Sequence, residues 1–352
     1  CWWGHETLPK LNYEGSEALC EEILRIGRKW VSPPYSADGW RLDVAADLGH
    51  SPEFNHRFWQ QFREVVKEAN PNAVILAEHY GDVRPWLSGS EWDTVMNYDA
   101  FMEPVTWFLT GMEKHSDAAI PEREGDCEGF WRAIRRSMAS FSYGSLHTAM
   151  NQLDNHDHSR FITRTNGRTG RLESAGSAAA GEGIRMGVYR QAIVMQFTWP
   201  GAPTLYYGDE TGLPGWTDPD DRRTFPWNRR DWELEAFCRY MIRLHRESPA
   251  LRKGSLLPLP AEAGVLAYGR FLAEEKALVV IHHTDEERQV SLDLTPLGVE
   301  SGWLERRMET KEKEYNVGVI WIPIREGRAE LVLKPQSALY FQIKNEPKHI
   351  DS

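Results

Sequence analysis

The chain has 352 residues, with 41 Lys and Arg against 52 Asp and Glu, and a formal net charge of −11. Its 41% hydrophobic and 26% charged residues are those of a folded globular protein, and no run approaches the ~18 apolar residues of a membrane span. The acidic balance speaks against general nucleic-acid binding, which needs clustered Lys and Arg, and this length implies two or three domains of ~100–200 residues.

The predicted elements alternate. Residues 17–30 read as a helix, with Ser16 as its N-cap and Leu19, Ile23, Ile26 and Trp30 at helical spacing, stopped by Pro33-Pro34. Residues 39–44 follow as a strand, 52–69 as a helix with Phe54, Phe58, Phe62 and Val65 on one face, and the continuous apolar run 73–77 as a buried strand. Further strands are expected at 94–96, 148–153 and 204–207. Helices are expected around 100–110, 130–139, 184–197 and 232–247. The Gly, Ala and Ser-rich run 164–183 reads as a mobile surface loop without a packing role. Five strands separated by helices imply parallel βαβ units, in an open doubly wound sheet or part of a (β/α)8 barrel.

After Pro249 the pattern turns antiparallel. Strands are predicted at 265–271, 277–283, 289–294, 317–322, 329–333 and 338–343, a separate all-β sandwich of about 100 residues. Cys1, Cys20, Cys127 and Cys238 are scattered without zinc or CxxC spacing and read as reduced thiols. The chain opens on Cys rather than Met, which suggests a piece of a longer protein.

In a parallel α/β sheet, chemistry sits where strands end. Arg41 and Asp43 share one face of the first strand by parity; taken alone they read equally well as a buried ion pair. Glu78 follows five apolar residues, an environment that should raise its pKa as a general acid requires, though a solvated loop Glu is the plainer alternative. Asp157 lies in a polar cluster after the strand near Met150, where turn and capping roles compete. Together the three carboxylates suit attack at an acetal carbon, one protonating the leaving oxygen and another attacking or steadying an oxocarbenium ion. No Gly-rich phosphate loop and no HExxH metal motif is present. Fifteen Trp and twelve Tyr fit a sugar ligand; Trp2, Trp3, Trp86, Trp216 and Trp227, beside Gly or Pro, are the expected platforms.

These residues carry a resemblance. LPKLN from Leu8, GWRLDVA from Gly39, ILAE ending at Glu78, LDNHD ending at Asp157, GAPTLYYGDE from Gly201 and DPDDRR from Asp218 resemble, in order, motifs of the α-amylase superfamily, glycoside hydrolase family 13. The neopullulanase, cyclomaltodextrinase and maltogenic amylase branch is the most similar. The resemblance implies a fold class of α/β: strands four to eight of a (β/α)8 barrel over residues 1–250, N-terminal strands absent, then a β-sandwich over 251–352. It implies Asp43 as nucleophile, Glu78 as acid/base and Asp157 as the carboxylate gripping the distorted sugar. Arg41 would orient Asp43, His156 would bond substrate hydroxyls, and Asp218 and Arg222 would line a more distant glucose subsite. A retaining member would hold the Asp43 and Glu78 carboxyls about 5–5.5 Å apart.

Three departures qualify it. The family's Asn-His motif and strands one to three are missing. Ala46-Asp47 stands where many members carry Lys-His or Asn-Glu. Glu78-His79-Tyr80 stands where an aliphatic residue and Trp-His usually follow, so Tyr80 is the expected replacement platform and His79 a modulator of hydrolysis against transfer. The expected partners are an α-glucan oligosaccharide and an N-terminal half in the same or another chain, without which residues 1–352 should be inactive or unstable. The resemblance also admits a homodimer. No nucleic acid, no membrane, no cofactor and a cytoplasmic location are expected; calcium is common in the superfamily, but no ligand cluster is visible here. A transglycosylase or glucose-isomerising relative, and a non-catalytic sugar-binding subunit, are the competing readings.

Overall fold

A computed structural model describes residues 1–347. The chain forms two compact units, one of Cys1–Met96 with Ser137–Met150, the other of Asn97–Arg136 with the chain from Asn151 onward.

The first unit is a parallel sheet backed by two helices. Helix α1 (Glu17–Val31) begins at Ser16, whose hydroxyl accepts from the Leu19 N–H. Strand β1 (Gly39–Leu42) leads to helix α2 (Pro52–Ala69), started by the Ser51 cap and Pro52. Strands β2 (Val74–Ala77) and β3 (Thr94–Val95) complete the sheet in the order β1-β2-β3. Phe58, Trp59, Phe62 and Val66 of α2 bury against Ile75, Ala77 and Val95 of the sheet. Asp93 ties these layers together. Its carboxylate accepts from the Ile75 N–H at 2.9 Å and from Arg63 and Lys67 of α2 at 2.7 Å each. At Gly39 the two backbones approach so closely that a Cβ would lie 2.1 Å from the Val74 carbonyl oxygen.

The second unit holds the helical middle of the chain and an antiparallel C-terminal region. Helix Met186–Thr198 is buried on every side, which explains why it shows no amphipathic stripe. Beyond it a seven-stranded sheet runs Tyr315–Asn316, Gly302–Thr310, Ser337–Lys344, Lys276–His282, Val265–Phe271, Ser255–Leu259, with Ile320–Ile324 also on Gly302–Thr310. A two-stranded sheet of Arg288–Asp293 and Arg328–Leu333 shares its core, where Leu278, Val280, Leu304, Leu331 and Phe341 meet. This is the sandwich-like domain the turn pattern implies.

Several expectations need correction. Residues 204–207 are not a strand; the strand is Ala202–Pro203, and the chain turns toward Gly208 as Asp209 accepts the Tyr206 N–H. Most of 148–153 is not extended, because Tyr143–Thr148 is helical and only Met150–Asn151 forms a strand. The run 164–183 is no featureless loop. It contains the helix Leu172–Ala175 and a 3-10 turn, Arg164 and Ala180 are fully buried, and the Gly176 carbonyl accepts from the Trp216 indole. Trp86 and Trp216 are not open platforms: Trp216 is fully buried, and Trp86 is sandwiched between His56 and Trp92 at 4.0 and 4.5 Å. Trp3 and Trp227 are well exposed.

Among the described residues no helix is long and apolar enough to cross a membrane, and the four cysteines are unpaired.

Candidate active site

Parallel pairing sets the carboxylate pair of the first unit. The β1–β2 register ends on Leu42 opposite Ala77, so the next residues, Asp43 and Glu78, leave neighbouring strands side by side. The Glu78 N–H donates to the Leu42 carbonyl at 2.9 Å, continuing the ladder one step beyond the strands. The chain then turns sharply. Val44 adopts φ 44° and ψ 41°, a left-handed conformation that a β-branched side chain rarely takes. That turn aims the Val44 N–H at Glu78 Oε2, 3.0 Å away.

Arg41 links the two acids. One arm of its guanidinium pairs with Asp43 Oδ1 and the other lies 3.2 Å from Glu78 Oε2. Their exposures differ sharply: the Asp43 side chain is 75% exposed and that of Glu78 12%. Burial pushes the Glu78 carboxyl above its ordinary range, and the neighbouring Asp43 charge adds to this, against the opposing Val44 N–H and Arg41. A carboxyl of raised pKa beside one open to solvent is the division of labour that acid/base and nucleophile require. His79, next in the chain, packs its ring 5.8 Å from Trp92, and Tyr80 is 40% exposed.

The second unit gathers the other sequence-predicted residues. Asp157 lies 3.4 Å from the His156 imidazole and 3.5 Å from Arg222. Arg222 also reaches Asp218 at 2.7 Å and donates to the His156 carbonyl at 3.0 Å. The turn is held from both ends: the Asp157 N–H donates to Asn155 Oδ1 at 3.0 Å, and Thr217 Oγ1 donates to the Asp157 carbonyl at 2.6 Å. Arg41, Asp43, Glu78 and Tyr80 therefore belong to one unit, and His156, Asp157, Asp218 and Arg222 to the other.

Beneath that turn lies a charged layer that sequence reasoning missed. Arg160 is fully buried, donates to the Tyr207 carbonyl at 2.7 Å and to the Asp221 carbonyl at 3.0 Å, and pairs with Asp209 at 3.1 Å. Burial, reinforced by the Asp154 charge, pushes Asp209 well above the usual carboxylate range. The only advance signal was that Asp154, Arg160, Asp209 and Asp221 lie in or beside the motifs already noted.

Asp221 is also fully buried, and neither of its carboxylate oxygens meets a hydrogen-bond donor among the described residues. Burial pushes its pKa up to about 7 against the pull of Arg160. A raised folded-state pKa means that unfolding releases a proton between about pH 4 and 7, so stability falls as pH rises through that window. Asp221→Asn should abolish this slope and melt higher than the parent at pH 8, by roughly 1–2 kcal/mol, with little gain at pH 5. Equal shifts at both pH values would contradict it.

Among the described residues no three His, Cys, Asp or Glu side chains are gathered as a metal ion would need.

Comparison with known proteins gives a consistent picture. The family model described as "Alpha amylase, catalytic domain" matches residues 2–251. A neopullulanase 2 of Thermoactinomyces vulgaris is 30% identical over 337 residues, covering 95% of this chain and 49% of that protein. A cyclomaltodextrinase of a Bacillus species is 33% identical over 280 residues, covering 78% and 44%. Among solved structures, a cyclomaltodextrinase superposes with TM-score 0.72 at 27% identity, covering 94% of this chain and 49% of its own. The native debranching enzyme of Nostoc punctiforme gives TM-score 0.73 at 27% identity, with 94% and 62% covered. The chain spans less than half the length of these two curated relatives.

Proposed function

Because this chain belongs to the alpha-amylase catalytic-domain family, we propose that it is the catalytic portion of a retaining glycosidase. Its substrates are α-1,4-linked glucans, with pullulan, cyclodextrins and α-1,6 links within the same class. The observation that carries this reading is the Arg41-bridged pair: an open Asp43 beside a buried Glu78 of raised pKa.

The chemistry follows from that asymmetry. Asp43 attacks the anomeric carbon while Glu78 gives its proton to the departing glycosidic oxygen, leaving a glycosyl ester on Asp43. Water then loses a proton to Glu78 and displaces the ester, restoring both carboxyls and the original anomeric configuration. Arg41 holds Asp43 in its attacking position. In this reading Asp157 takes the sugar hydroxyls as they shift toward the transition state, His156 bonds substrate hydroxyls, Asp218 and Arg222 line an outer glucose subsite, and Tyr80 serves as an aromatic platform; the contacts of Arg222 with Asp157 and Asp218 support the grouping of those three.

The same reading divides the chain near residue 250 into barrel strands four to eight and a C-terminal sandwich; the end of the family match at residue 251 supports that division. Names of relatives such as neopullulanase and cyclomaltodextrinase support the substrate class. The test is product analysis of maltotriose digests by NMR with the complete protein. Newly formed reducing ends should appear first as the α-anomer, with glucose and maltose as end products. Initial β-anomer would refute retention, and net formation of longer chains would identify a transglycosylase instead.

A further inference from the structure

The second unit contains a cleft that includes none of the candidate active-site residues. It has a volume of 510 Å³, within the ~300–1,000 Å³ of small-molecule sites, and lies between the first turns of helix Cys127–Met138 and the loop joining strands Ser255–Leu259 and Val265–Phe271. We propose that this cleft is a second holding site for an α-glucan chain; the ligand class rests on the glycosidase reading above.

One aromatic side chain gives the cleft its character. Trp131 lines it, stacked at 19° against Trp199 with centroids 6.0 Å apart and packed edge-on by Phe130 and Tyr268. The ring is thus fixed in orientation by its own core. Among the described residues no protein group accepts a hydrogen bond from its indole N–H, which is not buried. A flat ring with a free donor at its edge is the surface that stacks on a pyranose while bonding its rim of hydroxyls. Pro258 and Pro260 add rigid apolar wall, which costs little conformational entropy on binding.

The remaining lining selects against other occupants. Asp126, Glu128 and Glu262 face the cleft beside a single cation, Arg135, so a phosphorylated or otherwise anionic ligand is repelled. The carboxylates do not gather into a set that could hold a metal. The one nucleophile, Cys127, is kept as a thiol by burial and donates to the Val265 carbonyl at 3.6 Å, which argues against a reactive centre. A neutral, hydroxyl-rich chain can use both the carboxylate acceptors and the guanidinium donors along the rim.

Native electrophoresis of the complete protein in gels containing soluble starch reads this directly. Trp131→Ala removes the platform; Ala261→Arg, at an exposed loop position, plugs the cleft without touching the core. The parent should be retarded by starch. Both variants should show at least a fivefold weaker apparent affinity, while kcat/KM on maltotriose stays within twofold. Retardation unchanged in Ala261→Arg would overturn the proposal. So would hydrogen-exchange protection of residues 258–263 without starch, since another part of the protein would then fill the cleft. If cleft-dependent retardation is seen but maltotriose is not cleaved, the glycosidase reading fails and the holding site stands.

Discussion

Asp43→Asn should lower kcat/KM on maltotriose at least about 1,000-fold, or roughly 4 kcal/mol of transition-state stabilisation, with little change in melting temperature. The two halves of that expectation have separate causes. An amide keeps the shape of the carboxylate but cannot form and release a glycosyl ester, so the covalent route closes. Stability is spared because the side chain is mostly exposed and its pairing with Arg41 is screened by water, where such pairs are worth about 0–1 kcal/mol. A sharper version assigns the role by stereochemistry. In Asp43→Gly the vacated space admits azide, which attacks the anomeric carbon from the side the carboxylate would have used and yields a β-glycosyl azide. In Glu78→Gly azide instead displaces the ester from Asp43 and yields the α-glycosyl azide. Turnover of Asp43→Asn above about a tenth of the parent, or an α-azide from Asp43→Gly, would remove Asp43 from the nucleophile's place.

Much of the geometry around Asp43 was legible because local rules and tertiary demands agree there. Aromatic residues at helical spacing mark α2 over 52–69, the range the structure shows. A short apolar run ending in an acid likewise locates β2 and Glu78. The longest strand, Gly302–Thr310, was missed because its inward series is Leu304, Arg306, Met308: a buried Arg306 paired with Glu309 at 2.6 Å disguises the alternation. The segment 164–183 was misjudged for the opposite reason. Its small residues look like a linker, yet Gly170 lies against the Trp216 ring so closely that a Cβ there would meet it at 3.1 Å. Smallness was the packing signal. Nor could Arg160 be recognised as an anchor, because its partners at Tyr207, Asp209 and Asp221 are about 50 to 60 residues away in sequence and only folding brings them together.

Glu78→Gln should reduce kcat on maltotriose by about 100- to 10,000-fold and remove the alkaline limb of the pH–rate profile, while a glycosyl fluoride is spared in the first step. Fluoride leaves without a proton, so only a reaction that needs Glu78 as an acid suffers there. In the parent the limb has a defined sign. The Glu78 pKa is raised, first by burial and then by the Asp43 charge, so the required proton is present below that pKa and activity falls as pH rises through it. The same two causes explain how one group serves both half-reactions. Once Asp43 is esterified its charge is gone, one of the raising influences disappears, and Arg41 is left to act on Glu78 alone. The Glu78 pKa must then fall, which frees the carboxylate to take a proton from water. Neutralising Asp43 by mutation mimics that step, so the Glu78 carboxyl, followed by carbon NMR, should titrate at lower pH in Asp43→Asn than in the parent. A titration that stays put or moves upward would mean that burial alone governs Glu78, and that the two carboxyls do not exchange roles through their charges.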